Sequence, residues 1–110
     1  LLLNTDIWVS ALIRRAELNG AFAIVERRGD PSAGAVLVKA LNRRIGEARL
    51  YEEVIRGDGE RAWMQPLKSL DEAELDAYIS RALRIDPDLW VVEIDDTRGR
   101  HFLVEPVEGS

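Results

Sequence analysis

Apolar positions recur along this chain with two different periods, and the period switches at Gly/Pro/Asp-rich breaks. From Thr5 to Asn19 the spacing predicts a helix. At about 100° per residue, Ile7, Trp8, Val9, Ala11, Leu12, Ile13, Ala16 and Leu18 cover about two-thirds of its circumference. Ser10, Arg14 and Glu17 share the remaining polar arc. Arg15 breaks the pattern, because it falls inside the apolar arc between Ala11 and Trp8. A guanidinium there must reach solvent along its stem or find a carboxylate or a ligand.

Gly20 follows at the helix C′ position, and residues 21–28 read as a strand. Gly29-Asp-Pro-Ser-Ala-Gly34 carries turn chemistry, with Pro31 fixing φ and Asp30 able to bond nearby amides. It lacks the Lys-Ser/Thr of a phosphate loop and reads as a hairpin connection. Residues 35–41 form a second strand, whose continuous apolar run implies a central strand covered on both faces. Residues 47–55 and 60–65 are the third and fourth strands, joined by the Gly57-Asp58-Gly59 turn and stopped by Pro66. Ser69-Leu-Asp-Glu72 reads as a capping box. It opens a second helix with one apolar stripe of Leu75, Tyr78, Ile79, Ala82, Leu83 and Ile85, ended by Asp86-Pro87. Residues 89–94 and 101–104 are the last two strands, around an Asp95–Gly99 turn, and residues 105–110 read as a polar, frayed tail.

The order α-β-β-β-β-α-β-β makes this an α+β domain spanning residues 1–110. Short turns favour antiparallel pairing. The expected architecture is an antiparallel sheet of about six strands with both helices on one face.

Composition narrows the function classes. The chain has no cysteine, which removes disulfides, thiolate chemistry and cysteine zinc sites and fits a reducing cytoplasm. No apolar run approaches the roughly 18 residues of a membrane span, and Leu1-Leu2-Leu3 is too short for a signal h-region. Neither a membrane nor a cofactor is expected. Charge is uneven: residues 1–50 carry +3 and residues 51–110 carry −8. The acidic total argues against nucleic-acid binding, while the basic half keeps a small anionic ligand in view.

Three constellations bear chemistry. Arg15, Arg27 and Arg28 are candidate contacts for a carboxylate or phosphate of a partner, because Arg suits bidentate anion binding. Should Arg15 be structural instead, Glu26, Glu52, Glu53 or Glu93 is its expected partner. Glu93, Asp95 and His101 flank the last turn and offer two oxygen ligands and one imidazole to Mg²⁺ or Mn²⁺. The serines (Ser10, Ser32, Ser69, Ser80 and Ser110) include no G-x-S-x-G elbow, and no catalytic set is assigned. Trp8, Trp63 and Trp90 sit among aliphatic residues and read as core anchors rather than a base-stacking surface.

Six segments carry a family resemblance: Thr5 to Arg15, Arg27-Arg-Gly-Asp-Pro31, Gly34-Ala-Val-Leu-Val-Lys39, Leu50-Tyr-Glu52, Asp86 to Glu93, and Gly99-Arg-His-Phe102. In this order the chain resembles a family of small bacterial proteins catalogued as a domain of unknown function. The resemblance implies a cytoplasmic bacterial protein of about this length and supplies no activity. The leading expectation is therefore a non-catalytic binding or interaction module, with a protein partner or small anionic ligand on its Arg-lined face. The alternatives are a small metal-dependent hydrolase built on the last hairpin, and a structural homodimer that pairs exposed sheet edges.

Overall fold

The computed structural model describes residues 3–109. Its elements run α1 (Thr5–Leu18), β1 (Phe22–Arg27), β2 (Val36–Asn42), β3 (Glu47–Ile55), β4 (Arg61–Met64), α2 (Glu72–Ile85), β5 (Trp90–Asp95) and β6 (Val107–Glu108). Leu1 and Leu2 of the apolar start, and Ser110 of the tail, lie outside the described residues. Among the described residues no helix is long and apolar enough to cross a membrane.

The six strands lie in the order β1-β5-β2-β3-β4-β6. The sheet is mixed, not antiparallel: β2 pairs β5 in parallel, and β4 pairs β6 in parallel. The short turns do give antiparallel neighbours, β2 with β3 and β3 with β4. The parallel pair arises because α2 is a crossover. It carries the chain from β4 back over the sheet, so that β5 enters between β1 and β2.

The helices cover opposite faces, which corrects the one-face expectation. Trp8, Val9, Leu12 and Ala16 of α1 pack with Val36, Val38, Ala40, Trp90, Val92 and Ile94. Leu75 and Ile79 of α2 pack with Leu37, Leu41, Leu50, Leu89 and Val91. Alternate residues of β2 thus feed two cores, as its continuous apolar run requires. Each fully buried leucine of this kind contributes about 1.5–3 kcal/mol. The N-cap of α2 is Asp71 rather than Ser69: its carboxylate accepts the Ala73 N–H at 3.1 Å, while the Ser69 hydroxyl oxygen accepts the Asp71 N–H at 3.1 Å.

Residues 29–34 are not a hairpin, because β1 and β2 are separated by β5. The loop arches over the start of β5. Asp30 N–H donates to the Asp88 carbonyl, and the Trp90 indole donates to the Asp30 carbonyl at 2.7 Å. The approach is so close that a Cβ on Gly29 would lie 2.1 Å from the Asp88 carbonyl oxygen, and one on Gly34 would lie 2.5 Å from it. The same loop accepts from the first turn of α1, Thr5 N–H to Ser32 and Asp6 N–H to Pro31.

The last strand is Val107–Glu108, not residues 101–104. Residues 96–106 instead cross the α1 face to reach the far edge of the sheet. Glu105 anchors this crossing: its carboxylate accepts the indole N–H of Trp8 at 2.8 Å and of Trp63 at 3.1 Å. The two rings lie 5.2 Å apart, and the Arg61 guanidinium sits 4.8 Å over Trp8. Burial alone would raise the Glu105 carboxyl, but the two indole donors, its own backbone N–H and the Arg61 charge together hold the group below its usual range.

Candidate functional site

The three candidate arginines do not converge. Arg15 Nε donates to the Phe102 carbonyl at 2.8 Å. One of its terminal nitrogens is buried and makes no hydrogen bond to the described residues. None of the four expected glutamates reaches it. Glu26 and Glu93 serve Lys39 on the opposite face, Glu52 accepts from Tyr78, and Glu53 pairs with Arg61 and accepts the Val36 N–H. Arg15 therefore fixes the crossing segment, where Phe102 holds φ 60 in a region non-glycine residues rarely occupy. Arg27 and Arg28 lie on opposite faces, as successive strand positions do, and a β-bulge between Val25 and Arg27 puts Arg27 on the α2 side. Arg27 reaches the Pro87 carbonyl at 3.5 Å beside α2, while Arg28 lies 5.0 Å over the Trp90 ring beside α1.

The expected metal ligands are also divided by the sheet. Glu93 and Asp95 point to the α2 side, where they meet Lys39 and Arg43. His101 lies on the α1 side, edge-on to Tyr51 at 4.8 Å, and its Nδ1 accepts the Leu103 N–H at 2.9 Å. Burial pushes the His101 imidazole down, towards the neutral form. Among the described residues no three His, Asp or Glu side chains are placed to hold a metal ion.

What the α2 face holds instead is a buried ammonium. Lys39, on the central strand, is 2% exposed. Its Nζ lies 2.8 Å from Asp76, 3.1 Å from Glu72, 3.3 Å from Glu93 and 3.6 Å from Glu26. Burial would lower its pKa, but the hydrogen bonds to Asp76 and Glu72 outweigh burial and raise it. Glu26 is pushed up to about 7, first by burial and then by its hydrogen bond with Glu93, with Lys39 opposing. Near neutrality the Glu26 carboxyl therefore holds its proton against Glu93 more readily than a free carboxyl does. Sequence reasoning passed over this cluster. Its signal was a lysine inside the apolar run Ala35–Leu41, at the spacing of Leu37 and Leu41.

On the other flank of α2 lies a cleft of about 430 Å³. Tyr78, Arg81, Ala82 and Ile85 line it at helical spacing, facing Ala35, Val36 and Leu89. The small Ala82 leaves the space open. At its polar end Tyr78 OH donates to Glu52 at 2.6 Å. Burial, followed by the Glu52 bond, pushes the Tyr78 phenol up to about 12, so it stays a proton donor at neutral pH. Glu53 and Asp86 complete the lining. Glu53 is neutralised by Arg61, and burial raises its carboxyl. An apolar wall with a few convergent polar groups is the usual form of a small-ligand site.

Comparison with known proteins gives a family without an activity. A family model described as "Protein of unknown function (DUF1491)" matches residues 3–104. The chain is similar to a DUF1491 family protein from Caulobacter crescentus CB15, whose crystal structure shares 71% identity with a TM-score of 0.94, over 97% of this chain and 100% of that one. An NMR structure of a DUF1491 family protein from the same organism shares 70% identity with a TM-score of 0.91, over 99% of each chain. The solution structure of protein Atu0922 from A. tumefaciens shares 36% identity with a TM-score of 0.78, over 96% of this chain and 97% of that one. No curated protein matches the chain.

Proposed function

We propose, for a chain that belongs to the DUF1491 family of proteins of unknown function, that it is a non-catalytic binding module whose site is the cleft beside α2. The observation that carries this reading is the apolar-walled space of about 430 Å³ that closes on the Tyr78–Glu52 pair. The ligand is a small apolar body with one positive charge. Ala35, Ala82, Ile85 and Leu89 take the body. Glu52 takes the charge, helped by Asp86 and by the carbonyl end of α2, whose dipole favours cations. This replaces the anion-binding face expected of Arg15, Arg27 and Arg28, since those side chains share no surface.

The reading is tested by amide NMR titration with phenethylamine, and with phenylacetate as the oppositely charged probe. The amine should shift Ala35, Glu52, Tyr78, Ala82 and Leu89. Glu52→Gln should weaken it about tenfold or more, the effect of a lost charged hydrogen bond of about 1.5–3 kcal/mol. Equal shifts from phenylacetate, or unchanged binding in Ala82→Trp, would refute the reading.

A further inference from the structure

The outer edge of β1 is an unprotected strand end of the sheet. β1 pairs only with β5, and its side chains break the usual rules for an edge. Phe22 is 78% exposed and Ile24 is 54% exposed, both on the α2 face, and Val25 is exposed on the other. Edge strands normally carry charge, proline or a bulge to prevent strand addition. Here the bulge falls only at the far end, between Val25 and Arg27, so residues 21–25 stay regular.

We infer that β1 pairs antiparallel with β1 of a second copy, about a two-fold axis at Ala23, joining two six-stranded sheets into one. A two-fold axis perpendicular to the sheet keeps each face continuous, so directly opposed residues lie on the same face. With Ala23 opposite itself, Phe22 falls opposite Ile24 of the other copy, twice over. Ala21 falls opposite Val25. Every exposed apolar side chain of the regular stretch then meets an apolar partner, and aromatic with β-branched is a favourable cross-strand pair. The shift of one residue that centres the axis on Ile24 would instead set Phe22 against the bulged Glu26. This self-complementarity selects a second copy over a foreign strand.

Sedimentation of the whole chain over about 1 μM to about 1 mM, the range of weak to moderate association, tests the pairing. The mass should rise from 12.4 kDa towards twice that value. Phe22→Lys and Ile24→Lys alter exposed side chains, so their circular dichroism should be unchanged while the mass stays monomeric. The register is read by cross-linking, since the chain has no native cysteine. Ala23→Cys should form an intermolecular disulfide under mild oxidation, because opposed Cα atoms lie about 4.5–5.5 Å apart. Ile24→Cys should do so far less. A monomer at every concentration, a dimer that both lysine variants leave intact, or preferential cross-linking at position 24 overturns the proposal.

Discussion

The ammonium of Lys39 lies 2.8 Å from a carboxylate oxygen of Asp76, and this contact ties the centre of the sheet to α2. Lys39 also neutralises Glu93, the least exposed carboxylate of its four partners. Removing one member of such a set strands the others in a desolvated site.

Lys39→Met should therefore destabilise the fold by about 3–5 kcal/mol, the range for breaking a buried ion pair. Urea denaturation measures it. A loss below about 1 kcal/mol would place the cluster among surface pairs of little weight.

Glu26 sets a slope of stability with pH. Its carboxyl is raised from 4.5 to about 7 in the fold, so the folded state binds the proton more tightly than the unfolded chain. The resulting stability is complete below about pH 4.5 and is lost as pH rises through about 7. With the side chain 33% exposed, solvent screening reduces the effect to on the order of 1–2 kcal/mol. Glu26→Gln should flatten the curve between those values. Asp96 acts in the opposite sense: led by its hydrogen bonds to Arg100, it is lowered from 3.8 to about 2, and its contribution is lost only as pH falls through that value. Denaturation midpoints across about pH 2–8 separate the two, and a slope unchanged in Glu26→Gln counts against the raised Glu26 carboxyl.

Arg15→Ala should cost about 1.5–3 kcal/mol, the value of a hydrogen bond to a charged donor, rather than the larger cost of a broken buried ion pair. The loss should be local. Hydrogen exchange at the Leu103 amide, which donates to His101 in the adjoining turn, should speed up before exchange in β2 does. Uniform acceleration would show that Arg15 supports the whole core instead.

Gly29→Ala should destabilise by at least about 1–3 kcal/mol, the usual cost of overpacking, because its Cβ would meet the Asp88 backbone. Gly57→Ala has nothing within 4 Å and should change stability by less than about 1 kcal/mol. Thermal unfolding of the two variants checks the contrast, and equal melting temperatures would contradict the arch over β5.

The sequence by itself determined every element but the last strand. The third strand begins and ends where its pattern does, at Glu47 and Ile55, and both helices follow from apolar spacing. It also determined that β2 is central, because Val36 to Leu41 are apolar on both faces save Lys39. Periodicity is a local property, and it says which side of an element is covered. It does not say what covers it.

Tertiary structure decided the rest. The parallel pairing of β2 with β5 depends on where α2 delivers the chain, and no residue of either strand encodes its neighbour. The segment at His101–Val104 has strand-like composition, yet Arg15 and the Trp8–Trp63–Glu105 contacts hold it as a crossing, and Val107–Glu108 forms the strand instead. The same limit governs the site. A misplaced Arg15 was legible as a question, but its answer, the Phe102 carbonyl, lies 87 residues away. The cleft beside α2 exists only once Tyr78 and Ala82 face Ala35 and Glu52 across the α2–sheet packing. The physical reason is common to all three: polar partners and cavities are made by long-range packing, whereas hydrophobic period is written residue by residue.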